Sequence, residues 1–218
     1  MTVWRKLTHE HVVWLHGWIP YVESPENLCP SLVSDWCDEG DVTTFLKRSP
    51  HADREALICG IAHGLEYLHS EEIVHGDMKP DNVVVSGGRT PQLCDFGLSF
   101  IVSDTSTYIH ASSLLGTARY VAPEVFESEE PFRDKKTDVW AFGCTAMEIL
   151  RSEPPYPTIR NDLAVFKVIG TILPFNPSAT QPTEETLVRC FDLDPEGRIN
   201  MGDVTRRLEQ NGSTLTIS

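Results

Sequence analysis

The chain has 218 residues, 40% of them hydrophobic and 23% charged, which suits one large domain or two small ones with an ordinary buried core. Lys and Arg number 18 against 32 Asp and Glu, a formal charge of −14. That balance argues against a general nucleic-acid or anionic-membrane binder, which needs a basic face, and it disfavours a phosphate ligand unless a metal or local cations offset the field.

In chain order, the first stretch, Val3 to Leu7, has helical character and ends at Thr8-His9. Val12, Val13, Leu15 and Ile19 predict a strand ahead of a Pro20–Pro30 loop, and Ser31 to Ser34 a short buried strand. A turn at Asp38-Glu39-Gly40-Asp41 leads into a short helix over 42–47. Asp53 to His69 is the clearest helix, because Leu57, Ile58, Ile61, Ala62, Leu65 and Leu68 recur at three- and four-residue spacing. Short strands follow at 73–74, 83–85 and 92–94, and the Ser- and Thr-rich stretch from Ser99 to Thr117 predicts a long loop. The charge run Glu127–Lys136 predicts a solvated loop. Asp138 to Leu150 is apolar nearly all round, which marks a helix in the middle of a domain, stopped by Pro154-Pro155-Tyr156-Pro157. Two further helices are predicted near 184–191 and 202–210. The sum is a mostly helical body with a few short strands and no dividing linker.

No apolar run reaches the ~18–20 residues that span a bilayer, and Met-Thr-Val-Trp-Arg-Lys is too polar for a secretory signal. The 6 cysteines form no C-x-x-C pair and no metal spacing with His, so they read as reduced thiols of a cytoplasmic or nuclear protein.

Three segments carry chemistry. In His75-Gly76-Asp77-Met78-Lys79-Pro80-Asp81-Asn82 a carboxylate, a lysine two residues on and an asparagine five on can enter one pocket from a single loop. Asp77 could take a proton from a hydroxyl, Lys79 could neutralise a transferring phosphoryl group, and Asn82 could ligate a metal. Asp95-Phe96-Gly97 sets an Asp at a strand end before a permissive Gly, where it is placed to hold a divalent cation. The third segment is Gly116-Thr117-Ala118-Arg119-Tyr120-Val121-Ala122-Pro123-Glu124.

H-x-D-x-K-x-x-N, D-F-G and A-P-E in this order resemble the catalytic core of the eukaryotic protein kinases, of serine/threonine type by Lys79 and Thr117 and with a tyrosine-kinase-like tenor. The resemblance extends to His63–His69, to Asp138-Val139-Trp140-Ala141-Phe142-Gly143 and to Asp194–Arg198, so it covers nearly the whole chain. It implies an α+β protein-kinase-like fold: a mostly helical C-terminal lobe with a short remnant of the N-terminal lobe sheet. The domain would span 1–210, with 1–36 the remnant, 37–210 the hinge and C-lobe, and 211–218 a tail. It further implies that Asp77 is the catalytic base, that Lys79 meets the γ-phosphate, and that Asn82 and Asp95 hold Mg²⁺ for ATP. Ser34 falls at the gatekeeper position, Cys37 where the hinge backbone meets adenine, and Asp41 where a side chain reaches the ribose. Asp138 would cap its helix and brace the catalytic loop, His75 would pack on Phe96, and Arg198 would pair with Glu124.

The departures bear on activity. No G-x-G-x-x-G occurs in the chain, and counting back from Thr8-His9 puts the family's helix glutamate one position before Met1. The expectation is a domain cut inside its smaller lobe, with transfer to Ser or Thr of a protein substrate impaired. Gly76 stands where most relatives have Arg, which puts the usual ordering by activation-loop phosphorylation in doubt. The alternative is a pseudokinase-like interaction module, and the four intact residues Asp77, Lys79, Asn82 and Asp95 weigh against it. Either way the expected partners are proteins, a substrate and a regulatory partner, with no nucleic acid and no membrane.

Overall fold

The computed structural model describes residues 6–24, 27–95, 100–101, 118–127, 132–176 and 181–215. Strands β1 (Leu15–Ser24) and β2 (Asn27–Ser34) form an antiparallel ribbon in which Trp18 faces Leu32 and Pro20 faces Pro30. The predicted Pro20–Pro30 loop is therefore incorrect: the strands run through it. Opposed prolines fit a non-hydrogen-bonded pair, where both N–H groups would point away from the partner strand. The Ser31–Ser34 strand is present but not buried, with Leu32 46% and Val33 38% exposed. Among the described residues the ribbon has no third strand to cover it.

Helix α1 (Val42–Arg48) is capped by Asp41, and α2 (Arg54–Ser70) by Asp53, each carboxylate accepting a backbone N–H three residues on. Strand β3 (Ile73–Val74) is followed by the hairpin of β4 (Val83–Val85) and β5 (Pro91–Leu93). Strand β6 (Phe100–Ile101) pairs with β3, so the predicted 99–117 loop is interrupted there; its remainder lies outside the described residues. The Val3–Leu7 helix falls mostly outside them as well. Helices α3 (Glu124–Glu127), α4 (Lys135–Arg151), α5 (Asp162–Val165), α6 (Pro182–Val188) and α7 (Met201–Leu215) complete the body.

The core is built round α4. Val139, Trp140, Phe142, Cys144, Ala146 and Met147 are all buried, on every side of the helix. Helix α2 lays its stripe of Leu57, Ile58, Ile61, Leu65 and Leu68 into the same cluster. Helix α4 ends at Ser152, whose left-handed backbone (φ 57°) turns the chain before the predicted proline stop is reached. Cys37, Cys59, Cys94, Cys144 and Cys190 are free, and no helix in the described residues is long and apolar enough to cross a membrane.

Candidate active site

The loop after β3 hangs from the buried helix. Asp138, in the first turn of α4, accepts the backbone N–H of His75 at 2.7 Å and of Gly76 at 2.9 Å, and meets His69 Nε2 at 3.0 Å. It does not cap the helix, as the sequence suggested. Asp134 does, in a reciprocal capping box with Thr137. His75 is fully buried, and burial holds its imidazole below the ordinary histidine range; its Nδ1 accepts the Asp77 N–H at 3.2 Å. Phe96, its expected packing partner, lies outside the described residues.

Asp77, Lys79 and Asn82 come together. A 3-10 turn at Pro80–Asn82, closed by Asn82 N–H donating to the Lys79 carbonyl at 3.0 Å, folds Asn82 back over Asp77. Asn82 Nδ2 donates to the Asp77 carbonyl at 2.7 Å and to Asp77 Oδ2 at 2.9 Å. Lys79 Nζ reaches the same Oδ2 at 2.8 Å. Asp77 Oδ1 is buried and has no hydrogen-bond partner among the described residues. One carboxylate oxygen is thus fixed by an amide and an ammonium, and the other keeps its acceptor capacity unused.

The β4–β5 hairpin carries Asp95 to the same end, and the segment between β2 and α1 packs against the hairpin. Cys94 N–H donates to the Asn82 carbonyl at 3.0 Å, which sets Asp95 one residue beyond Asn82's neighbour. Asp95 is exposed and takes a left-handed backbone, φ 55°. With Asn82 Nδ2 committed to Asp77, its oxygen is the atom left for a cation. An amide oxygen and a carboxylate are the hard donors that suit Mg²⁺. Cys37 Sγ lies 3.5 Å from Gln92 Oε1 on β5, and burial pushes its thiol up. Burial, with Asp95 and Cys37 adding, raises the Cys94 thiol to about 12, so neither cysteine is a ready nucleophile. Asp41 is half-buried, and both of its oxygens engage Thr44, at 2.9 and 2.6 Å. Gly40 accepts the Val85 N–H at 2.8 Å, which ties this end of the hinge to β4. Ser34 is exposed.

Two pairings show how the loop's support is made. Arg198 is fully buried, forks onto Glu124 at 2.6 and 3.0 Å, donates to the carbonyls of Asp192 and Lys136, and stacks 5.1 Å over Trp140. The expected Arg198–Glu124 pair is present. The charge run, by contrast, is not a solvated loop over its described part. Arg133 Nη1 donates to the Gly76 carbonyl, Asp134 caps α4, and Lys136 Nζ donates to the Arg198 carbonyl at 2.7 Å. Arg133 is the site-proximal residue that sequence reasoning missed, since nothing in a run of mixed charges distinguishes one member turned inward.

Comparison with known proteins agrees with the motifs. The family described as protein kinase domain matches residues 1–208. The cytokinesis protein sepH of Emericella nidulans is 30% identical over 200 residues, 90% of this chain and 14% of that protein. Mitogen-activated protein kinase kinase kinase 12 of Rattus norvegicus is 28% identical over 210 residues, 94% of this chain and 22% of that protein. An Aurora kinase of Saccharomyces cerevisiae is 30% identical over 144 residues, 66% of this chain and 38% of that protein.

Proposed function

We propose, from the premise that this chain belongs to the protein kinase family, that its site transfers the γ-phosphate of ATP to a serine or threonine hydroxyl of a protein. The observation that carries the reading is the Asp77 carboxylate, with Oδ2 held by Lys79 and Asn82 and Oδ1 unpartnered. Asp77 accepts the proton of the incoming hydroxyl, which makes the oxygen a better nucleophile as it meets phosphorus. Lys79, beside Asp77, neutralises charge on the transferring group. The family uses ATP with Mg²⁺. Asn82 and Asp95 would hold the ion, whose charge would offset that of the phosphates. Cys37 would meet adenine through its backbone. Asp41 would reach the ribose, at the cost of one of its bonds to Thr44.

The test is transfer from ATP·Mg²⁺ to a basic protein acceptor by wild type, Asp77→Asn and Lys79→Met. Both variants should lose about a hundredfold or more. Undiminished transfer by Asp77→Asn would sink the reading. Since the 218 residues hold no G-x-G-x-x-G, the isolated chain should be slow, because positioning and charge stabilisation supply most of this chemistry. That same absence favours a second reading, an interaction module. It predicts no transfer at any enzyme concentration, yet capture of a protein partner that survives Asp77→Asn. The chain spans between 14% and 38% of the relatives named above, so substrates and partners rest on this proposal alone.

A further inference from the structure

Both backbone groups of Gly76, the residue before the proposed base, are held from the start of one helix. Its N–H goes to Asp138 at 2.9 Å, and its carbonyl receives Nη1 of Arg133, five residues earlier in the chain. Gly76 has φ 78°, a conformation that L side chains rarely adopt, and as glycine it brings no side chain of its own to hold the loop. The pin comes instead from the segment leading into α4. It is a charge-assisted bond from a partly buried cation, the stronger kind of backbone tether.

The surroundings of the guanidinium separate a clamp from a ligand site. Arg133, Gly76, Asp77, Tyr120, Thr137 and Asp138 line a cavity of about 20 Å³. That is room for about one water molecule and not for a phosphate group. Burial pushes the Arg133 guanidinium below its usual value, while the carboxylates of Asp77 and Asp138 pull it back up. Arg133 thus shares one small cavity with both the base and the loop's anchor. Lys79 and Arg133 approach Asp77 from different elements, the first from its own loop and the second from the α4 lead.

We propose that Arg133 is a positioning residue for phosphoryl transfer, pinning the Gly76 carbonyl so that the next residue, Asp77, presents its free oxygen to the substrate hydroxyl. The proposal rests on the kinase reading for its catalytic meaning, and on the Gly76 contact alone for its structural meaning. Because the contact Arg133 makes is with the loop backbone, and the cavity beside it is too small for a phosphate group, its loss should act on the chemical step rather than on nucleotide binding.

The experiment pairs peptide-resolved hydrogen exchange with steady-state transfer from ATP·Mg²⁺, in the full chain, for wild type, Arg133→Met and Arg133→Lys. In Arg133→Met, exchange over residues 76–78 should speed up about tenfold while peptides of α2 and α7 keep their rates. The kcat should fall about tenfold with KM for ATP within about twofold, and Arg133→Lys should restore most of both. Unchanged exchange at 76–78 overturns the proposal. So does exchange that rises equally in α2 and α7, since the arginine would then be holding the fold. A loosened loop with undiminished kcat overturns it too. If the wild-type chain transfers no phosphate, the kinase reading fails by itself, and the exchange arm still decides whether Arg133 pins the loop.

Discussion

Arg198 shows what a single buried charge does in this protein. Its guanidinium answers the Glu124 carboxylate, two carbonyls and an indole face, with no exposure to water. Arg198→Met would keep the packing volume and leave Glu124 without its partner. The expected loss is about 3–5 kcal/mol, read from the denaturant midpoint; a loss under about 1 kcal/mol would contradict it. A gentler test concerns His9, which stacks on Tyr67 at 4.7 Å between ring centroids and lies beside His11. Burial first, and His11 and His63 next, lower its pKa from 6.5. A lowered histidine stays neutral in the fold while the unfolded chain takes the proton, so its contribution is whole above pH 6.5 and shrinks as pH falls below that value. The melting point of His9→Gln should therefore gain on wild type between pH 7 and pH 5.5, and a constant difference would refute this. The sequence made the motif residues legible because their spacing along one loop is itself the geometry. Arg133 and the His9–Tyr67 stack were not legible, since each depends on a contact between segments far apart in the chain.

At the scale of elements, helices α2 and α4 were readable from periodicity and from an all-round apolar run, each to within a few residues. The ribbon was not, because prolines at 20 and 30 look like loop chemistry until they are seen opposite each other. The close approach of the segment around His11, where Val12 forms a parallel bridge with Leu93 of β5, was hidden for a related reason. Gly64 sits in the middle of α2, where alanine would ordinarily gain up to about 1 kcal/mol of helix propensity. A Cβ there, however, would lie 2.6 Å from the His11 carbonyl oxygen, which is backbone and already accepts the Leu93 N–H at 2.9 Å. Packing should outweigh propensity: Gly64→Ala is expected to destabilise by about 1–3 kcal/mol, and a stabilised variant would disprove the contact. The α4 cap is a milder case. Asp134→Ala should cost about 1 kcal/mol in thermal unfolding, and more if the loosened helix start also frees Arg133.

The whole molecule carries a formal charge of −14, and self-repulsion of that size favours expansion. Raising ionic strength from about 20 to about 200 mM shortens the screening length about threefold, to about 7 Å, which damps repulsion between neighbouring surface charges, so the melting point should rise. A fall would mean that exposed pairs such as Lys135–Glu72, 2.8 Å apart, outweigh the repulsion. Composition alone foretold this behaviour but not where the acid would be useful, since Asp77, Asp95 and Asp138 are ordinary members of the total until the fold gathers them round one loop. The distribution of tryptophan has an optical consequence. Trp14, Trp18 and Trp36 are 54%, 57% and 87% exposed, while Trp140 is fully buried beneath the Arg198 guanidinium. Native fluorescence should therefore have two separable populations: a red-emitting one quenched by acrylamide, and a blue-emitting one shielded from it. Trp36 is next to Cys37, so nucleotide at the hinge should dim the first and spare the second, whereas melting should erase the second.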